Sequence, residues 1–119
     1  MQRCRADGYS VIVLDRIAPA DAKSVEFFET DLSDAQSTRR ALESAVRSHR
    51  ITRVVNNVGT AIPASIENSS LDELSRMVDL NVACTVEVMK AVLEGMKVAQ
   101  FGRVVNISSR SALGRPNMS

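Results

Sequence analysis

Gly102-Arg103-Val104-Val105-Asn106-Ile107-Ser108-Ser109 sets a β-branched apolar run directly against a polar end. The same layout recurs where Val11–Leu14 meets Asp15, where Val25–Phe28 is followed by Asp31, and where Arg53–Val55 meets Asn56-Asn57-Val58-Gly59. Short apolar runs of this kind predict strands covered on both faces, as in a parallel sheet. Two helical patterns lie between them. One opens at Ser33-Asp34-Ala35-Gln36, read as a capping box with Ser33 at the N-cap, and carries the stripe Ala35, Ala41, Leu42, Ala45 and Val46. The other opens at Ser70-Leu71-Asp72-Glu73, a second box, and its pattern runs to about Lys97. Segment 16–24 is short, polar and holds Pro19, which predicts a loop or at most one turn. The order strand–loop–strand–helix–strand–helix–strand predicts an α/β fold with a mostly parallel, doubly wound sheet.

Composition fits that reading. A chain of 119 residues with 45% apolar content is long enough to close one hydrophobic core and too apolar for disorder. The net charge of +1 argues against a nucleic-acid binder or a polybasic membrane module. Val11–Leu14 is too short for a signal-peptide core, and no stretch approaches a membrane span. Cys4 and Cys84 are far apart and form no ligand cluster, so they read as free thiols, with no metal site expected. The expected compartment is the cytoplasm.

Ligands of doubly wound sheets bind beyond the carboxyl ends of the strands. The polar residues named above fall at those ends. Each alone is also an ordinary turn former, yet four of four ends carry hydrogen-bonding residues, more than turning the chain requires. Asn81 stands apart. It follows the helical stripe Leu74, Val78, Asn81, Thr85, Val88, Val92, so an amide is expected on an apolar face, where an unpaired amide costs about 1–3 kcal/mol. His49, the single histidine, lies near the end of the first helix, where a cation suits the local dipole without a catalytic role. Arg39-Arg40 and the Arg47/Arg50 pair read as a solvated helix face, and Met77, Met89 and Met96 as core filler or contact surface.

Taken together, Val11–Arg16, Asp31-Leu32, Asn56-Asn57-Val58-Gly59, Asn81 in its helix and Gly102–Ser109 resemble the short-chain dehydrogenase/reductase family, over nearly the whole chain and in the family's order. The resemblance implies a partial, Rossmann-like NAD(P)-binding domain over residues 1–119. It implies that Asp15 accepts hydrogen bonds from the adenosine ribose, which favours NAD over NADP, although the adjacent Arg16 suits a 2′-phosphate. Asp31 and Leu32 would lie along the adenine edge. Asn57, Val58 and Gly59 would pass beneath the adenosine side, with Val58 where the family usually has Ala. Ser109 matches the catalytic serine that holds the substrate oxygen, with Ser108 ranked second. Asn81 matches the asparagine whose backbone carbonyl holds a water in the proton relay. The implied substrate is a small carbonyl or alcohol, and the implied assembly a homo-oligomer paired through the helix at 70–97.

Two family elements do not match. The proton is moved by a tyrosine with a lysine one helical turn later, but the single tyrosine, Tyr9, precedes the first strand and has Val13 where that lysine would stand. The five glycines form no phosphate-binding cluster, which would fall about 20 residues before Asp15. Gly114–Ser119 reads as a loop toward the Tyr-Lys helix, and Met1–Gly8 as the tail of a helix. These points lead to the expectation of a fragment of a longer reductase that binds NAD(H) weakly or not at all alone. In the strand order 3-2-1-4-5-6 the unmatched first strand is central, so two separate strand pairs with open apolar edges are expected. The alternative reading is a non-catalytic remnant that binds a full-length homologue through the long helix. A flavodoxin-like receiver fits less well, since it needs an acidic cluster at the first strand and a late lysine.

Overall fold

The computed structural model describes residues 2–59 and 65–109. Helix α1 (Gln2–Ala6) ends in a turn at Gly8, whose φ of +88° suits a residue without Cβ. Strand β1 (Ile12–Asp15) follows, then a 3-10 turn at Ala22–Ser24 and strand β2 (Glu26–Glu29). Helix α2 (Ala35–Ser48) leads to strand β3 (Arg53–Asn56). After a 3-10 turn at Ile66–Asn68 come helix α3 (Leu71–Val78), a π turn (Asp79–Ala83), helix α4 (Cys84–Ala99) and strand β4 (Arg103–Asn106). The order of elements is the one the sequence predicts, and Gln2–Ala6 is helical as expected. Gly114–Ser119 lies outside the described residues.

The strands form two parallel pairs. β1 pairs with β2 from Ile12↔Glu26 to Asp15↔Glu29, and β3 with β4 from Arg53↔Arg103 to Asn56↔Asn106. The first two runs are each displaced by one residue from their sequence-based bounds, because the ladder continues through Thr30 N–H to Asp15 C=O (2.8 Å). Both pairs share one helical layer. Leu32, Leu42 and Ala45 are buried on the α2 side, and Cys84, Val92 and Met96 on α4. Arg39 of α2 clamps Glu87 of α4 with two hydrogen bonds of 3.0 Å, so it is a tie between helices, not only a solvated residue.

Three other expectations are corrected. The N-cap of α2 is Asp34, whose side chain accepts from Gln36 N–H, while Ser33 donates its hydroxyl to Asp31. The box at Ser70 and Glu73 forms as read, with both reciprocal bonds present. The long helix is not continuous. The π turn inserts extra backbone at Asp79–Ala83 and rotates the earlier half out of phase with the later one. The covered face therefore runs through Met77, Leu80, Cys84, Val88, Val92 and Met96, leaving Leu74, Val78 and Asn81 exposed. Finally, the strands are not covered on both faces. Val55, at 57% exposure, and Ile107, at 56%, stay open to solvent.

Between β1 and β3 runs a cleft of about 500 Å³. Ile12 and Leu14 form one wall, Val54 and Val55 the other, and Leu42, Ala45, Val88 and Val92 close its helical side. The two strand pairs are separate, as the sequence implied.

Candidate functional site

Within each parallel pair both carboxyl ends point the same way, so the polar residues that follow the two strands gather at one end of that pair. Asp15 closes β1 and is exposed. Its Oδ1 accepts from the Arg16 backbone N–H at 2.7 Å, which orients the carboxylate and leaves it acceptor capacity. Asp31 follows β2 and accepts both the Ser33 hydroxyl (2.6 Å) and the Ser33 backbone N–H (3.0 Å). Those two bonds, the hydroxyl first, hold its carboxyl below the usual carboxylate range, with Arg16 adding attraction. Leu32 is buried beside it, so it anchors the loop while Asp31 faces solvent.

The end of the other strand pair is neutral. Asn56 Nδ2 donates to Asn106 Oδ1 across the ladder at 2.8 Å, tying the two strand ends together. Ile107 N–H donates to Asn56 C=O at 3.0 Å, which carries the pairing one residue further toward Ser108 and Ser109, both exposed. Asn57 and Gly59 are exposed and Val58 half-buried. Gly59 lies against the π turn: a Cβ at this position would stand 3.3 Å from Asn81 Oδ1, closer than nine in ten real Cβ contacts. The geometry thus brings Asn81 to the loop after β3. A π turn lengthens the helix locally and frees backbone groups from the regular ladder, a common feature of functional sites.

Sequence reading missed the π turn and the Asn56–Asn106 tie. The tie had a signal: both strands end in asparagine after identical Arg-Val-Val. His49 caps the C-terminus of α2, with its N–H on Ala45 C=O and its ring paired with Glu26, remote from these strand ends. That agrees with its reading as a helix-end residue. Among the described residues no helix is long and apolar enough to cross a membrane.

Residues 2–119 match the protein family described as short chain dehydrogenase. A 3-ketodihydrosphingosine reductase of Bacteroides thetaiotaomicron is 28% identical over 109 residues, which cover 91% of this chain and 40% of that protein. An acetoacetyl-CoA reductase of an Acinetobacter species is 31% identical over 90 residues, covering 75% of this chain and 36% of that one. Among solved structures, ligand-free aldohexose dehydrogenase of Thermoplasma acidophilum superimposes with a TM-score of 0.87 at 25% identity, over 99% of this chain and 46% of that one. The chain spans less than half the length of these three relatives.

Proposed function

The chain belongs to the short chain dehydrogenase family, and on that premise we propose that residues 1–119 form the central portion of an NAD(P)-dependent oxidoreductase domain acting on a small carbonyl or alcohol. A bound nicotinamide cofactor supplies or accepts the hydride. The observation that carries this reading is that Asp15 and Asp31 follow the strands of one parallel pair and the Asn57–Gly59 loop and Ser109 those of the other, with Asn81 against Gly59.

The residues suit a dinucleotide. Asp15 is an exposed, oriented carboxylate able to accept from two ribose hydroxyls, and its charge disfavours a 2′-phosphate. The space above Gly59 is one that a Cβ would narrow, as close backbone approach requires. Asp31 and Leu32 offer an edge to the adenine, with Asn57 and Val58 beneath the adenosine. In the neutral half, the Ser109 hydroxyl holds a substrate oxygen, with Ser108 as second choice, and the backbone carbonyl of Asn81 holds a water for proton transfer. The proposed setting is the cytoplasm.

Saturation-transfer NMR on the 119-residue chain tests the cofactor preference. The adenosine protons of NADH are expected to receive saturation, those of NADPH less, and Asp15→Ala to erase the difference. Equal or stronger transfer to NADPH, favoured by Arg16, would reverse the assignment.

A second reading has its own observation. Leu71, Leu74, Val78, Val82, Val86 and Leu93 make an exposed apolar stripe along α3 and α4. This suits a non-catalytic chain that pairs with a homologous subunit through that face, or the homo-oligomer of an active enzyme. Val82→Lys with Val86→Lys would abolish pairing in sedimentation while leaving NADH transfer intact.

A further inference from the structure

The amino ends of β3 and β4 carry a charge arrangement that the cofactor reading leaves unused. Arg53 and Arg103 begin the two strands and are partners in register, and the Arg103 N–H donates to Thr52 C=O at 2.9 Å, so the backbone holds the two arginines side by side. Both are exposed. Their guanidinium groups lie 4.5 and 5.1 Å from the centroid of a single ring, that of Phe101, and Arg53 is also 4.9 Å from the Tyr9 ring. Like charges opposite one another across a ladder destabilise it. Among the described residues no carboxylate lies within ion-pair distance of either, whereas Arg3, Arg5 and Arg39 hold Asp7, Asp21 and Glu87. Glu26, which starts β2, is taken by His49. An aromatic face attracts the charge of a guanidinium but offers it no oxygen acceptor, so its N–H donors keep most of their capacity. Arg53 Nη1 reaches only the Thr52 hydroxyl, at a long 3.4 Å.

We propose that Arg53 and Arg103 form an anion site for a small phosphate monoester, with Phe101 and Tyr9 as its aromatic walls. The paired cations set the class of ligand. A monoester carries roughly two negative charges at neutral pH and presents its oxygens from one phosphorus, so a single group answers both guanidinium forks. One carboxylate neutralises only one of them. The planar fork of arginine also suits phosphate oxygens better than an ammonium would. The rings set the rest: both are exposed, so they offer apolar surface to the organic part of an ester seated beside its phosphate. Arg53 and Arg103 open the strands that Asn56 and Asn106 close, about 10 Å away along the chain. The site therefore lies at the end of this pair opposite Gly59 and Ser109, and is independent of the cofactor reading.

The probes are phenyl phosphate, inorganic phosphate and benzoate, titrated into the full chain at neutral pH and constant ionic strength and followed by backbone amide and arginine Nε–H chemical shifts. The expected result is saturable shifts at Arg53, Phe101 and Arg103 with phenyl phosphate, and none at Val58 or Gly59. Benzoate, which keeps the ring and halves the charge, should bind about tenfold more weakly. Inorganic phosphate should also bind more weakly, because it leaves the rings uncovered. The protein is unaltered in these comparisons, so a folding defect cannot explain the differences. Arg103→Gln should weaken phenyl phosphate about tenfold, while Arg76→Gln, the same change of charge on the exposed face of α3, should leave it unchanged. The proposal is overturned if phenyl phosphate gives no saturable shifts at these residues, if benzoate or inorganic phosphate binds equally well, or if the two variants lose affinity alike.

Discussion

The β1–β2 and β3–β4 pairs are built to one plan, a parallel ladder of four residue pairs with a polar carboxyl end, and they finish in opposite chemistry. The first ends in carboxylates, Asp15 and Asp31, which accept hydrogen bonds and repel anions. The second ends in amides and hydroxyls, Asn56, Asn57, Asn106, Ser108 and Ser109, which carry no charge. Their cover differs too. Ile12, Val13, Leu14, Phe27 and Phe28 are half-buried, whereas every residue of β4 is exposed. The second pair is held by its ladder, by the Asn56–Asn106 tie and by the Arg53 and Arg103 guanidinium groups, 4.5 and 5.1 Å from the Phe101 ring centroid. One half thus offers charged acceptors, and the other neutral donors and acceptors. Arg53 also lies 4.9 Å from the Tyr9 ring, so a single cation links the segment before β1 to the start of β3.

The largest effect should come from the layer the halves share. Leu42→Ala empties a buried position under the cleft and should cost about 2–5 kcal/mol in urea unfolding. Amide protection in β1 and β3 should fall together; loss confined to one pair would show that the halves are energetically separate. Next, Asn106→Ala removes the tie at one end only. A loss of about 0.5–1.5 kcal/mol is expected, with faster exchange at Val105 and Ile107 and no change in β2. Gly59→Ala sharpens the functional side of the contrast. The new Cβ must push the Asn81 side chain by a few tenths of an ångström, so the melting temperature should hold while NADH transfer weakens.

The smallest effect is electrostatic. The Arg39 hydrogen bonds, then the Arg39 and Lys90 charges, hold the Glu87 carboxyl below its usual range, and the same contact raises Arg39. A lowered folded value means the contribution is complete above the ordinary carboxylate range and disappears as pH falls through the folded value. The melting temperature of Glu87→Gln should therefore match the wild type in acid and fall slightly below it at neutral pH. High salt should shrink the neutral-pH gap, since the pair is exposed.

The strands, their direction and the polar strand ends were legible because each apolar run stops abruptly at a hydrogen-bonding residue, as at Leu14-Asp15 and Val55-Asn56. The separate pairs were legible from the unmatched central strand. The π turn was not. Apolar residues at steps of three and four fit Leu74, Val78, Asn81 and Thr85 as well as they fit Met77, Leu80 and Cys84, and only packing chooses the phase. The exposure of Val55, Val105 and Ile107 was equally hidden, because a β-branched run records suitability for cover and not the presence of a covering layer. The burial expected for Asn81 did not follow: it is exposed, and its Oδ1 lies against the Gly59 position, which periodicity could not show.

The central claim is that the two unlike strand ends serve one dinucleotide, and amide chemical-shift mapping of the 119-residue chain during NADH titration tests it most directly. The account predicts weak, saturable shifts at Asp15 and Asp31 in one half and at Val58, Gly59 and Asn81 in the other, with one shared binding curve. Shifts confined to one half, or two unrelated binding curves, would contradict it.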